Sequence, residues 1–239
     1  SPDSTHVLAD FGSSFRLYEA NNAGQFQDVS ATYPFLLREW EEAKNIKLTQ
    51  QLSGFKQGFV DIATSSAKII ALSPDENKVL YEATASATLP QIITPALIGT
   101  NSTEEKRVIE PGKIYVYDAK EDKNYFLLDK TEIPQSNKPN PSPSQPTTPR
   151  ISPQPADSSA LTVNYDFIRW FPTSRHLVLS LPGKIDILEY DRTNWITVYS
   201  GPFVDGFFAP WPNGSRIILM TNLNPGQSTL PNLYTVNLR

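Results

Sequence analysis

The stretch Ser73-Pro74-Asp75-Glu76-Asn77-Lys78-Val79-Leu80 has the composition of a tight turn that leads into a β-strand. Proline fixes φ at about −65°, and Asp, Asn and Ser suit the turn positions after it. The apolar residues at its end favour a strand. The same order of proline, polar residues, one basic residue and an apolar run occurs three more times. The other copies are Ser1–Leu8, Phe171–Val178 and Trp211–Ile218.

Each copy is accompanied by further strand-like segments, which indicate hairpins. Apolar runs precede three of the copies, at Lys68–Leu72, Phe167–Trp170 and Phe207–Pro210. After each copy comes a segment that ends in an acid or an amide, and we predict strands at Phe35–Glu41, Lys113–Asp118, Ile185–Asp191 and Leu233–Asn237. Three of these lead through a polar turn into another strand, predicted at Ile46–Leu52, Tyr125–Leu128 and Trp195–Tyr199.

Two successive hairpins make a four-stranded antiparallel sheet, which is the blade of a β-propeller. Pro172 and Pro212 lie 40 residues apart, close to the ~40–45 residues of a blade. We therefore predict an all-β domain over 1–239, with blade units at about 1–52, 59–131, 161–200 and 203–239. We expect it to be the C-terminal part of a ring of about six to eight blades, whose missing strands lie upstream. A complete four-bladed ring is the alternative.

Three insertions account for the uneven spacing of the repeats. Gly54–Ala67 is predicted to form a short helix, with Phe55, Phe59 and Ile62 on one face. Ala85–Gly112 interrupts the second blade between its hairpins. The segment Pro134–Asp157 contains eight prolines in 24 residues, and we predict a disordered loop because it has too little apolar surface to fold.

Composition excludes several classes of function. The net charge of −4 argues against nucleic acid, whose binding needs a basic surface. Cysteine is absent and there are only two histidines, so thiolate and multi-histidine metal sites are excluded. The long uncharged run Ala83–Thr103 is broken by prolines and rich in Ser and Thr, so we expect no membrane contact. No cofactor-binding motif is present.

Two columns of polar residues emerge when the repeats are aligned. The basic column holds His6, Lys78, His176 and Arg216. We interpret it as a polar strand edge that faces the preceding Asp or Ser, rather than as a set of catalytic groups. The acidic column holds Glu41, Asp118 and Asp191, joined by Asn237. These residues are typical of turns that begin with a side chain bonded to backbone amides, and a cation or sugar site is the alternative.

Aromatic residues are concentrated in the last two units. Large rings fill the wedge between adjacent sheets, so packing is the favoured interpretation. The alternative is a ligand platform, since aromatic rings beside polar groups suit sugars or peptides. The candidate platform consists of Trp170, Phe171, Trp211, Phe207 and Phe208.

The Ser-Pro-Asp turn together with Ile114-Tyr115-Val116-Tyr117-Asp118 resembles the repeat of TolB-like, WD-repeat-like propellers. Leu72–Ala85 and Phe167–Arg239 are further similar to bacterial envelope proteins that join PEGA domains to such a propeller. The resemblance implies an extracytoplasmic location, an anchor upstream and a binding or scaffolding role. It supplies no catalytic residues, and Glu76, Thr173 and Asn213 depart from the turn pattern of TolB itself.

These observations favour a non-catalytic propeller module that presents its loops and central channel to a protein, peptide or glycan. Two alternatives remain at this point. The chain can be the propeller of a hydrolase, either glycan-cleaving or the gate of a serine peptidase. It can also be a structural spacer or assembly domain, which would be marked by an exposed apolar patch or strand edge.

Overall fold

The computed structural model describes residues 1–95, 97–132, 167–204, 206–224 and 230–238. The prediction for Pro134–Asp157 falls outside these residues. The described chain is mostly β, with several antiparallel sheets and two α-helices. It divides into two compact units, Ser1–Val60 and Asp61–Arg239, which are described separately.

The first unit contains a three-stranded antiparallel sheet, the first sheet, in the order β1-β2-β3. Its strands are β1 (His6–Asp10), β2 (Phe15–Glu19) and β3 (Asn22–Asp28). Helix α1 (Tyr33–Leu52) follows it, and the ring of Tyr33 stacks on that of Phe15 at a centroid distance of 3.7 Å. Helix α2 (Gln57–Ser65) begins in this unit and ends in the next, and it confirms the short helix predicted within Gly54–Ala67.

Helix α1 shows that the strands predicted at Phe35–Glu41 and Ile46–Leu52 are wrong. Pro34 lies in the first turn, where the lack of an N–H costs nothing. Leu, Glu, Lys, Ala and Gln follow with no Gly or Pro up to Leu52, and these are strong helix formers. The strands that complete the first sheet are instead β2 and β3, which the repeat pattern did not predict.

The second sheet has the order β4-β5-β8-β9. Its strands and the small hairpin inserted between them are β4 (Ala67–Leu72), β5 (Lys78–Ala83), β6 (Ala87–Thr88), β7 (Val108–Ile109), β8 (Lys113–Asp118) and β9 (Lys123–Asp129). Strands β5 and β8 pair directly, so the predicted interruption by Ala85–Gly112 is confirmed. A 3-10 turn at Lys130–Glu132 follows β9.

Two more sheets complete the described part of the second unit. The third sheet is a four-stranded meander of β10 (Ile168–Trp170), β11 (His176–Leu181), β12 (Lys184–Glu189) and β13 (Ile196–Ser200). The fourth sheet has three strands, β14 (Phe208–Pro210), β15 (Arg216–Thr221) and β16 (Asn232–Asn237). Both agree with the hairpins predicted from the sequence.

The repeated proline turn has the same backbone in all four copies. Its fourth residue adopts a left-handed φ of 61° at Ser4, 56° at Glu76, 58° at Ser174 and 69° at Gly214. The N–H of that residue donates to the carbonyl of the first turn residue at 2.8–3.1 Å. This is a hairpin turn in which a type I turn precedes a left-handed residue. The sequence repeat is therefore a structural repeat.

The third sheet packs through both of its faces, because alternate side chains along a strand point to opposite sides. One face, here called the back face, joins the second sheet in a single hydrophobic cluster. Its members are Ile168, Trp170, Leu177, Leu179 and Leu188. The second-sheet residues in this cluster are Leu80, Ile114, Val116, Leu127 and Leu128.

The opposite, front face of the third sheet packs against the back face of the fourth. Val178, Ile185 and Ile187 share a cluster with the fourth-sheet residues Phe208, Ile217 and Leu219. The positions correspond from sheet to sheet. Leu80 lies two residues after Lys78, and Val178 lies two residues after His176. Both side chains face the following sheet. The second sheet therefore packs on the third in the same front-to-back manner as the third packs on the fourth.

The proline turns of neighbouring sheets also meet. The backbone N–H of Asp75 donates to Oγ of Ser174 at 3.0 Å, which joins the second and third sheets. A Cβ atom added to Gly214 would lie 2.8 Å from Cε1 of Phe171, which joins the fourth sheet to the third. All three turns therefore lie at one end of the stack, here called the turn end.

Candidate functional site

The five aromatic residues of the candidate platform fall into two groups. Phe208, Phe171 and Trp170 are buried, with exposed fractions of 2, 6 and 9%. Phe207 and Trp211 are 44 and 40% exposed. Only Phe207 and Trp211 therefore offer substantial ring surface to a ligand, and both belong to the fourth sheet and its turn.

The buried rings are placed between sheets. Trp170 belongs to the cluster that joins the second and third sheets, and Phe171 and Phe208 belong to the one that joins the third and fourth. The indole N–H of Trp170 has no hydrogen-bond acceptor among the described residues. The large apolar area that each ring buries makes these three residues a source of stability.

The cross-strand partners of the basic column correct the predicted acidic column. The basic residue starts the second strand of each copy and pairs with the last residue of the next strand. The pairs are His6 with Glu19, Lys78 with Asp118, His176 with Glu189 and Arg216 with Asn237. Asp191 and Glu41 are thus not equivalents of Asp118. The former lies two residues beyond its strand, and the latter lies in α1.

The corner around Lys78, here called the second-sheet corner, is closed by its neighbours. Lys78 is only 8% exposed, and its Nζ lies 3.6 Å from Oδ2 of Asp118 and 4.0 Å from Oδ2 of Asp75. The ring of Tyr190, from the third sheet, lies 4.8 Å from Nζ and covers the ammonium. The backbone N–H of Lys78 donates to Oγ of Ser73 at 2.9 Å. These contacts confirm the predicted polar strand edge at Lys78.

Electrostatics in the second-sheet corner favour the charged form of Asp75. Partial burial raises the pKa of Asp75, but hydrogen bonds to Ser73 and Asn77 and the charge of Lys78 outweigh it and lower the pKa to about 2. Oδ1 of Asp118 accepts the backbone N–H of Lys120 at 2.9 Å, so this residue also begins its turn as predicted. The corner holds Lys78 between two acids, and Nζ of the more exposed Lys120 also lies 3.8 Å from Oδ2 of Asp75.

The equivalent corner of the fourth sheet, the fourth-sheet corner, is open. Its cation is Arg216, whose guanidinium lies 5.5 Å from the ring of Trp211. The positions of the two acids are occupied by amides, Asn213 and Asn237, and both are exposed. Nε of Arg216 and Oγ of Ser215 are buried atoms without a hydrogen-bond partner in the described part of the chain. The sequence pattern placed Trp211 in the candidate platform and Arg216 and Asn237 in the two polar columns, but it did not indicate that the corner around Arg216 is open.

The inserted segment ties the second sheet to the third at the turn end. Nδ2 of Asn101 and Oγ1 of Thr103 both donate to Oδ2 of Asp191 at 2.7 Å. Thr193 donates its backbone N–H to the other oxygen at 3.0 Å. Burial raises the pKa of Asp191, but these hydrogen bonds lower it by more. Asp191 is therefore used as a structural acceptor.

Another buried carboxylate lies on the outer strands of the third sheet. Asp186 is fully buried and accepts hydrogen bonds from Nζ of Lys184, Nε1 of Trp195 and Oγ1 of Thr197 at 2.7–2.8 Å. Such a satisfied group stabilises the sheet rather than standing ready for proton transfer.

The two histidines lie in different sheets. Nδ1 of His6 lies 2.6 Å from Oγ1 of Thr5, and the ring of His176 meets the edge of Phe171 at 6.0 Å. No group of three or more acidic or histidine residues among those described is arranged to hold a metal ion. In the same residues, no helix has the length and apolar character needed to cross a membrane.

No protein-family model matches the chain, and no curated protein matches it.

Proposed function

We propose that the chain is a non-catalytic β-propeller module that binds or scaffolds a protein, peptide or glycan in a bacterial cell envelope. The observation that carries the proposal is the repeated front-to-back packing of three sheets with identical turns. The envelope location follows from the resemblance to TolB-like and PEGA-domain proteins.

A radial arrangement of the sheets is supported by the repeated front-to-back packing. The innermost strands β4 and β10 of two successive sheets lie against each other, as they do around a propeller axis. The front face of the fourth sheet carries the exposed Leu233, whereas the equivalent third-sheet residue Ile185 is buried. A further sheet packed there would extend the series toward a larger ring.

The binding surface of this module lies on the fourth sheet, where Trp211 and Phe207 are the exposed members of the candidate platform. Trp211 and Phe207 expose ring surface beside polar groups, which is the usual make-up of sites for peptides and sugars. The buried acids of the second and third sheets are engaged in structural hydrogen bonds. This distribution favours binding over catalysis.

The test is selection of ligands on the intact protein. A displayed random peptide library and a panel of peptidoglycan fragments would be selected with the unaltered protein, and retained ligands would be measured on variants. We expect Trp211→Ala and Phe207→Ala to weaken binding at least about ten-fold, because one aromatic contact contributes about 1–3 kcal/mol. Ile196→Ala, at an exposed position on the outer strand β13, is the matched control.

Failure to retain any peptide or glycan would contradict the proposal. Equal binding by Ile196→Ala and the two aromatic variants would place the binding surface elsewhere. Hydrolysis of a retained peptide or glycan would overturn the non-catalytic assignment in favour of a hydrolase.

A structural role as an assembly domain is the second candidate, and the exposed Leu233, at 56%, favours it. In that case the unaltered protein would self-associate with rising concentration in sedimentation, and Leu233→Lys would remain monomeric. A monomer at all concentrations would exclude self-assembly through this face.

A further inference from the structure

We propose that the fourth-sheet corner binds a carboxylate group of a peptide or protein ligand, with Arg216 as its cation. The inference rests on the function proposed above and names the chemistry that the binding surface recognises. It is carried by the comparison with the second-sheet corner, where the same position already holds carboxylates.

Each corner has a proline turn and a basic residue, but only the second-sheet corner has acids beside it. Lys78 has two acids within 4.0 Å, one from the turn and one from the neighbouring strand. At the corresponding positions of the fourth sheet, Asn213 replaces the turn acid and Asn237 replaces the strand acid. The cation is therefore kept while both of its internal counter-ions are absent.

The fourth-sheet corner also contains buried polar atoms without hydrogen-bond partners among the described residues. Nε of Arg216 and Oγ of Ser215 are buried without hydrogen-bond partners in the described residues. Burying such groups without a partner is costly, and native proteins rarely do so. Arg216 forms no ion pair with any acid that the structure describes. A carboxylate that pairs with the Arg216 guanidinium would supply the counter-ion that the described residues do not provide.

The donors suit a carboxylate. A guanidinium offers a planar fork of N–H groups that matches the two oxygens of a carboxylate, and such charge-assisted hydrogen bonds are strong. The side-chain amides of Asn213 and Asn237 can add neutral donors. Trp211 lies against the guanidinium and exposes ring surface for the apolar part of the ligand. The net charge of −4 disfavours polyanions, which leaves an isolated acidic side chain as the best match.

The experiment titrates the ¹⁵N-labelled intact protein with a capped tetrapeptide and follows the Nε–H signal of Arg216 by NMR. The probe has the sequence Leu-Glu-Tyr-Asp of residues 188–191, because Tyr190 of this segment covers Lys78 in the second-sheet corner and its two neighbours supply carboxylates. The matched neutral probe is Leu-Gln-Tyr-Asn. We expect a saturable shift with the acidic probe and at least about ten-fold weaker binding of the neutral one.

Variants separate a site from a general charge effect. Arg216→Met is expected to abolish binding, whereas Arg175→Met, at an exposed arginine of the third-sheet turn, should leave it unchanged. Asn237→Asp restores an internal acid and should reduce binding at least about ten-fold. Asn232→Asp adds the same charge at the far end of β16 and is its control. Thermal melting verifies that each variant is folded.

Absence of a shift at Arg216, or full binding by Asn237→Asp, would overturn the carboxylate assignment. Equal binding of the acidic and neutral probes would also overturn it, but would leave the aromatic surface of the proposed function in place. If Asn237→Asp and Asn232→Asp weakened binding equally, the effect would be due to the net charge of the protein. That result would contradict a specific site at Arg216.

Discussion

The second-sheet and fourth-sheet corners have the same backbone and opposite surroundings. In both, a proline turn ends in a left-handed residue and a basic residue starts the next strand. Lys78 is enclosed by two acids and by Tyr190 of the following sheet, whereas Arg216 is flanked by two amides and an exposed tryptophan. The repeated turn therefore fixes the position of the cation, and two substitutions determine whether it is neutralised internally.

The comparison also separates residues that stabilise the molecule from residues that are free to bind. Where a following sheet covers the front face, rings and ions are buried and contribute to stability. On the fourth sheet Trp211 and Leu233, which correspond to the buried Phe171 and Ile185 of the third sheet, are exposed. Substitutions in these two environments are therefore expected to differ in their effect on stability.

The largest difference is expected between two tryptophans. Trp170→Ala should lower the free energy of unfolding by about 3–5 kcal/mol, because it removes a large buried ring between two sheets. Trp211→Ala should lower it by less than about 1 kcal/mol, since the ring is 40% exposed. Urea denaturation measures both. A near-neutral Trp170→Ala would contradict the packing of the second and third sheets.

A smaller difference is expected between the cross-strand partners of the two cations. Asp118→Ala leaves the buried Lys78 with a single, more distant acid and should lower the free energy of unfolding by about 3 kcal/mol. Asn237→Ala removes an exposed amide and should cost less than about 0.5 kcal/mol. Equal losses for the two variants would show that the corners do not differ in burial.

The stability of the protein should depend on pH through Asp75, the acid of the second-sheet turn. The pKa of Asp75 is lowered from its usual 3.8 to about 2, so its stabilising effect is complete above pH 4 and is lost as the pH falls toward 2. Because the side chain is partly exposed, we expect a loss of about 1 kcal/mol from this residue. Asp75→Asn should abolish that part of the acid sensitivity in denaturation curves at pH 4 and pH 2. Parallel losses in the two proteins would contradict it.

The sequence predicted most of the second unit because local chemistry determines it. The proline turns, the hairpins around them, the interruption by Ala85–Gly112 and the helix α2 all follow from turn residues and apolar periodicity. The buried rings Trp170, Phe171 and Phe208 were placed on the same basis, and packing was favoured for them.

Two predictions from the sequence were wrong, one about secondary structure and one about strand register. Phe35–Glu41 has the apolar content of a strand, but it continues into a run of helix formers after Pro34, and helix propensity summed over twenty residues prevails. Asp191 follows a tyrosine as Asp118 does, yet strand pairing aligns Glu189 with Asp118. Only the register shows this.

The open corner could not be predicted because it depends on contacts between sheets. That Tyr190 covers Lys78, and that Asn101 and Thr103 reach Asp191, are consequences of packing between segments distant in sequence. The exposure of Trp211 likewise follows from what packs beside it, and its residue type does not reveal that.

The central claim, that successive sheets pack front to back with their proline turns in contact, is tested most directly by two glycine substitutions. Gly214 and Gly183 have nearly the same left-handed φ, 69° and 70°, but an added Cβ would meet Phe171 of the third sheet only at Gly214. Both alanine variants carry the backbone strain of about 1–2 kcal/mol. We predict that Gly214→Ala lowers the free energy of unfolding by about 1–3 kcal/mol more than Gly183→Ala, because it also overpacks the contact between the sheets. Equal losses in urea denaturation would contradict the packing of the third and fourth sheets.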